Sequence, residues 1–148
     1  MKKVYRVLAY AIAALVAVQA AAIGYAVFAQ LNWIENGNTL DKAAAESGFP
    51  GSGAFIFHAF DGGAVLLVAI ALLIVSFFAK IPRGVRWAVI VLVATFVQIA
   101  LGTLSHLLAA IGALHGAVAL VLFGVATMAA MRVGRVAPVE EATPANVA

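Results

Sequence analysis

The stretch AFIFHAFDGGAVLLVAIALLIVSFFA, Ala54–Ala79, decides the fold class. It carries one histidine, one aspartate and one serine among apolar or small residues. As a helix rising about 1.5 Å per residue it is long enough to cross the roughly 30 Å hydrocarbon core of a bilayer. Three more runs of this kind, about Tyr5–Gln30, Trp87–Ala110 and Gly112–Met131, lie on either side of it. The 148 residues are 66% hydrophobic and 10% charged, with a mean hydropathy of +1.11, values that exclude an ordinary soluble domain. The expected architecture is all-α: an integral membrane four-helix bundle, up-down-up-down, forming a single domain over residues 1–135.

The basic residues read as topology signals. Lys2, Lys3 and Arg6 precede the first run, Lys80, Arg83 and Arg86 connect the second to the third, and Arg132 and Arg135 follow the fourth. All eight fall on one side of such a bundle. Lys42 alone lies in the outer loop, residues 31–53, beside Glu35, Asp41 and Glu46. The positive-inside rule then puts both termini in the cytoplasm of a bacterial-type plasma membrane. The net charge of +3 is used up in this way, so no nucleic-acid partner is expected, and the bilayer is the first partner. Trp33 marks the outer interface, Tyr5 and Trp87 the inner one. Residues 136–148, with two prolines and two glutamates, read as a disordered cytoplasmic tail.

Met1-Lys2-Lys3 and the Ala26-Val27-Phe28-Ala29 segment before Gln30 have the look of a signal peptide. The apolar region is longer than a signal core, however, and Ala9, Ala13, Ala17 and Ala21 read as a packing seam, so the segment is expected to stay as the first span. In the outer loop, Asn36-Gly37 reads as a turn and Thr39 as the cap of a short helix through Glu46, ended by Gly48 and Pro50.

The absence of cysteine removes disulfides, iron–sulfur clusters and covalent haem attachment. Any metal must rest on His, Met or carboxylate. His58 and His115, 57 residues apart, come about 6 Å and about 4.5 Å below the outer ends of the second and fourth runs, at 1.5 Å per residue. In the expected bundle these helices run in the same direction and stand diagonally across the core, a placement that can hold one flat group between two imidazoles. The cofactor that fits is a b-type haem with His58 and His115 as its iron ligands. Gly62 and Gly63, one turn past His58, and Gly112 and Gly116 around His115 leave room for a ring edge, and are equally ordinary packing residues.

His106 shares a face with Gln98 and Gly102 at four-residue spacing. Its readings are a plain interfacial histidine, a partner for a haem propionate, a replacement ligand, or the third member of a three-histidine zinc or copper site. Asp61, the only acid within a span, is expected to orient an imidazole, to receive a proton, or to be solvated toward the headgroups.

The segment Val97-Gln98-Ile99-Ala100-Leu101-Gly102-Thr103, followed by Ala113-Leu114-His115, resembles the third and fourth helices of one half of the haem A synthase family, and the interval from His58 to His115 is similar. The resemblance covers about residues 54–125. It implies a four-helix half with a histidine pair on its second and fourth helices, His58 and His115 being the iron ligands. The chain has only one such half, lacks the outer-loop cysteine pair, and has Phe55 where the family has a glutamate one turn before the ligand. The resemblance therefore points to holding haem and not to oxidising its methyl group.

Three function classes remain. The first is a small b-type haem protein for electron transfer or haem handling near the outer face, a redox carrier rather than an enzyme, served by a redox partner. The second is a cofactor-free accessory or structural subunit of a larger membrane complex. The third, a transporter half, suffers from the scarcity of polar residues: Gln19, Ser76, Thr95, Gln98 and Thr127 do not make a continuous route. Ser105 beside His106 is a sequence neighbour and no hydrolytic geometry.

Overall fold

The computed structural model describes residues 1–134. These form α1 (Lys2–Glu35), α2 (Lys42–Ser47), α3 (Ser52–Phe78), α4 (Gly84–Leu104) and α5 (Ala109–Met131), followed by a 3-10 turn, Arg132–Gly134. The helices α1, α3, α4 and α5 are each long and apolar enough to cross a membrane. The tail 136–148 lies outside the described residues. In the packing, α1 and α4 each lie against both α3 and α5. Two diagonals result, α1 with α4 and α3 with α5.

At one end of the bundle the Tyr5 hydroxyl donates to the Gly84 carbonyl at 3.0 Å, and the Arg132 guanidinium lies 4.5 Å over the Trp87 ring. These contacts bring together the starts of α1 and α4 and the end of α5, hereafter the basic end. Tyr5 is fully buried, so its ring packs between the helices and is not presented outward from the bundle. The hydroxyl can enter the apolar interior because a carbonyl meets it there.

Alanines make up much of the core, around larger side chains such as Tyr5, Ile12, Leu72 and Leu122. Ala9, Ala69, Ala88, Ala126, Ala129 and Ala130 are all fully buried, which lets the backbones approach closely where lipid tails offer no hydrophobic advantage to association. The expected alanine seam on α1 holds for Ala9 and Ala13, while Ala17 and Ala21 are exposed. A four-residue step overshoots the 3.6-residue turn by about 40°, so the last two alanines have rotated off the interface.

Core packing is confined to part of the bundle. On α3 no residue before Asp61 is buried, on α4 none after Gln98, and on α5 none before Leu122. Beyond this level α1 contributes only Ala26. The bundle is tight from the basic end to the level of Asp61 and Gln98 and open toward the end that carries α2.

Local chemistry sets the connections at that open end. Asp41, not Thr39, caps α2, its Oδ1 accepting from the Ala44 N–H at 2.9 Å, and Gly48 ends the helix at φ 88°. Gly51 begins α3 at φ 92°, pressed so closely on α1 that a Cβ there would lie 2.7 Å from the Ala26 carbonyl oxygen. The third span stops at Leu104 and does not run on to Ala110. The Ser105 hydroxyl donates to the Gly102 carbonyl at 2.6 Å, an alternative to helix continuation that such side chains offer, and the turn through Leu107 follows.

Candidate functional site

The floor of the open half is a polar cluster to which α3, α4 and α5 each contribute. His58 on α3 and His115 on α5 meet across the diagonal with ring centroids 6.0 Å apart and planes inclined at 71°. Both are half-buried. Asp61, one turn along α3 from His58, and Gln98 on α4 are buried. Gln19 of α1 reaches the edge of the cluster, its amide nitrogen 3.6 Å from where a Cβ on Gly62 would stand.

His115 is held at both ring nitrogens by one residue. Its Nδ1 lies 3.0 Å from the Gln98 backbone carbonyl, and its Nε2 lies 3.3 Å from the Gln98 side-chain nitrogen. A carbonyl can only accept, so Nδ1 carries the proton and donates; Nε2 keeps its lone pair and accepts from the amide. That tautomer, fixed by an Nδ1–H to a backbone carbonyl, is the one in which metal-binding imidazoles are commonly oriented.

Gly102 makes this contact possible. It stands one turn after Gln98, and a Cβ there would lie 3.0 Å from His115 Cε1 and 3.2 Å from Nδ1. The missing side chain leaves a notch through which the imidazole reaches the main chain of α4.

Three buried polar atoms in the cluster have no hydrogen-bond partner: His58 Nδ1, Asp61 Oδ2 and Gln98 Oε1. Each such atom costs about 1–3 kcal/mol in an apolar interior. Elsewhere in the core the polar side chains are satisfied: Ser76 Oγ donates to the Leu73 carbonyl at 2.6 Å and Thr95 Oγ1 to the Val91 carbonyl at 2.9 Å, each within its own helix, and the Tyr5 hydroxyl to Gly84 of α4. Unmet hydrogen-bonding capacity therefore sits beside the two histidines. An aromatic series, Trp33 to Phe49 at 6.1 Å and Phe49 to Phe55 at 6.4 Å, runs from the end of α1 to the first turn of α3, one turn from His58.

Several expected members fall elsewhere. His106 is exposed in the turn after α4, off the helical face it was expected to share with Gln98. Among the described residues no group of three or more His, Asp and Glu is placed to hold a metal ion, so the three-histidine zinc or copper site is not formed. Gly116 is exposed, with open space around its Cβ position. Gly62 does lie in the cluster, against Gln19. Asp61 is buried, which removes its reading as a solvated headgroup residue, and its Oδ2 makes no hydrogen bond to His58. The parts that sequence reasoning did not assign are the double hold of Gln98 on His115 and the notch at Gly102. Their available signal was a glutamine and a glycine one turn apart in an otherwise apolar helix.

Comparison of the chain with protein-family models, with curated proteins and with solved structures gives no match.

Proposed function

We propose that the protein is a small integral membrane haem b protein, holding haem between His58 and His115 in the open half of an up-down-up-down bundle. Both termini are cytoplasmic in this reading, the site lies near the outer face of a bacterial-type plasma membrane, and the role is electron transfer or haem handling with a redox partner. The observation that carries it is the pairing of the two imidazoles across the α3–α5 diagonal, 6.0 Å between centroids. At that separation the two imidazoles would be able to hold one iron.

The residues present fit the group. His115 has its Nε2 lone pair selected by the Nδ1 contact, His58 is unpartnered at Nδ1, and the helices around them are not closed by buried side chains. The Gln98 amide lies 3.3 Å from Nε2 and would compete with a metal for that atom. Bound haem would supply a one-electron couple. The chain itself orients His115 through the Gln98 carbonyl, places the Asp61 carboxylate near the site and screens it with apolar helix faces.

One observation favours the second reading, a cofactor-free accessory subunit of a larger membrane complex: Gln98 already satisfies both His115 nitrogens without a ligand. The deciding experiment is a dithionite-reduced minus oxidised spectrum of detergent-purified protein expressed with haem precursor, for wild type, His58→Ala and His115→Ala. Sharp alpha-band absorption that disappears in both variants, with size-exclusion profile and helicity unchanged, supports the haem reading. A colourless, folded wild type overturns it in favour of the accessory subunit.

A further inference from the structure

The basic end gathers a second group of polar side chains, apart from the histidines. A pocket of about 240 Å³ lies there, lined by Arg83, Arg86, Trp87, Ile90 and Arg132. Three guanidinium groups share this space, and the described carboxylates, Glu35, Asp41, Glu46 and Asp61, all lie outside its lining. Among the described residues the recorded salt bridge is Lys42 with Glu46, which is exposed and in α2.

Of the three arginines, Arg132 is held by a ring contact, while Arg83 and Arg86 are exposed. Arg132 lies 4.5 Å over the Trp87 ring, a stacking that spends one face of the guanidinium and leaves its N–H edge available. Arg83 stands immediately before α4 at φ 57°, a left-handed conformation that ordinary side chains adopt at a cost. Arg83 and Arg86 flank the start of α4, the positive end of its dipole. Ile90, one turn further along α4 than Arg86, gives the pocket an apolar floor.

From this geometry we infer that the pocket binds the phosphodiester headgroup of an anionic lipid. The charge calls for an anion, and the guanidinium fork matches phosphate oxygens. A lipid is favoured over a soluble phosphate because the pocket sits where the apolar spans of α4 and α5 end, with Trp87 at that boundary and Ile90 leading toward the hydrocarbon. An acyl chain can continue down the bundle surface from there.

The test uses the full-length protein in an uncharged detergent, titrated separately with dioleoylphosphatidylglycerol, dioleoylphosphatidylcholine and inorganic phosphate, with native mass spectrometry and thermal unfolding as readouts. Wild type is expected to bind phosphatidylglycerol in preference to phosphatidylcholine and to be raised in melting temperature by it. Arg132→Gln and Arg86→Gln each lower the affinity about 5-fold, and the double variant about 25-fold, from roughly 1 kcal/mol per cation near an anionic headgroup. Arg83→Gly removes a guanidinium and relieves the positive φ, so it loses lipid affinity while the lipid-free protein keeps its stability. Lys3→Gln, an equal loss of charge at the same end but outside the pocket, leaves the affinity within about 2-fold, because a charge beyond the pocket acts only through screened attraction. Equal binding of the two lipids overturns the inference, as does a Lys3→Gln loss matching that of Arg132→Gln, which reduces the effect to diffuse attraction. Arginine-dependent binding of inorganic phosphate without any of phosphatidylglycerol also overturns it.

Discussion

The Nδ1 of His115 donates to the main-chain carbonyl of Gln98 at 3.0 Å, while the side-chain nitrogen of the same glutamine approaches Nε2 at 3.3 Å. One residue thereby fixes the imidazole's tautomer and also covers its lone pair. These two roles have different consequences for a ligand, and they can be separated by substitution.

The carbonyl contact depends on Gly102, whose Cβ position lies 3.0 Å from His115 Cε1. Gly102→Ala is expected to press the ring a few tenths of an ångström off α4, lengthen the orienting hydrogen bond and lower haem affinity about 10-fold, the low end of the range found when an outer partner of a metal-bound histidine is lost. Titration of the apoprotein with haem, followed at the Soret band, measures it. An unchanged affinity with both histidines present removes Gly102 from the site.

The side-chain contact competes with iron. Gln98→Leu deletes the donor on Nε2 and the unpartnered Oε1 together, while the backbone carbonyl still accepts from Nδ1. The substitution leaves His115 Nε2 without its donor, a cost of about 1–3 kcal/mol, which the loss of the unpartnered Oε1 offsets, so the fold persists. Haem is expected to bind at least as tightly as to wild type. A tenfold weaker affinity makes the amide a contributor to cofactor binding and contradicts the competition described above.

The spans and the meeting of His58 with His115 were legible in the sequence because both rest on periodicity: apolar runs of membrane length, and two histidines near the same end of alternate helices. What was not legible depends on where helices stop and how they rotate. His106 lies on the face of Gln98 only if α4 continues, and Ser105 returning its hydroxyl to the Gly102 carbonyl accompanies the end of the helix first. Ala17 and Ala21 continue the spacing of Ala9 and Ala13, but the interface turns away from them. Tyr5 has the composition of an interfacial ring, and only tertiary packing supplies the Gly84 carbonyl that draws it inside. The grip of Gln98 on His115 likewise joins two helices through a notch that no local pattern announces.

Tyr5 is the polar tie across the α1–α4 diagonal at the basic end. Tyr5→Phe keeps the ring and deletes the 3.0 Å hydrogen bond to Gly84, a buried interaction worth about 1 kcal/mol. Reversible unfolding by sodium dodecyl sulfate in dodecylmaltoside micelles measures the loss. Haem content is expected to be unchanged, because the substitution lies at the opposite end from the histidines. A variant as stable as wild type makes the hydroxyl incidental to packing.

Gly51 tests how the open end is anchored. Its φ of 92° is poorly suited to a side chain, and a Cβ there would meet the Ala26 carbonyl oxygen at 2.7 Å and the Ala26 Cα at 3.0 Å, both backbone atoms that cannot swing aside. Gly51→Ala therefore combines left-handed strain with overpacking and is expected to cost about 2–4 kcal/mol. Gly53, two residues on and inside α3, has nothing within 4 Å of its Cβ position and is exposed. There the same change lowers the unfolded chain's freedom and favours the helix, stabilising by about 0.5–1 kcal/mol. Because α3 carries His58, displacing its start also moves that ring against His115, so Gly51→Ala should lose haem as well as stability while Gly53→Ala keeps both. Equal stability of the two variants in the same detergent titration contradicts the close approach of the α3 start to α1.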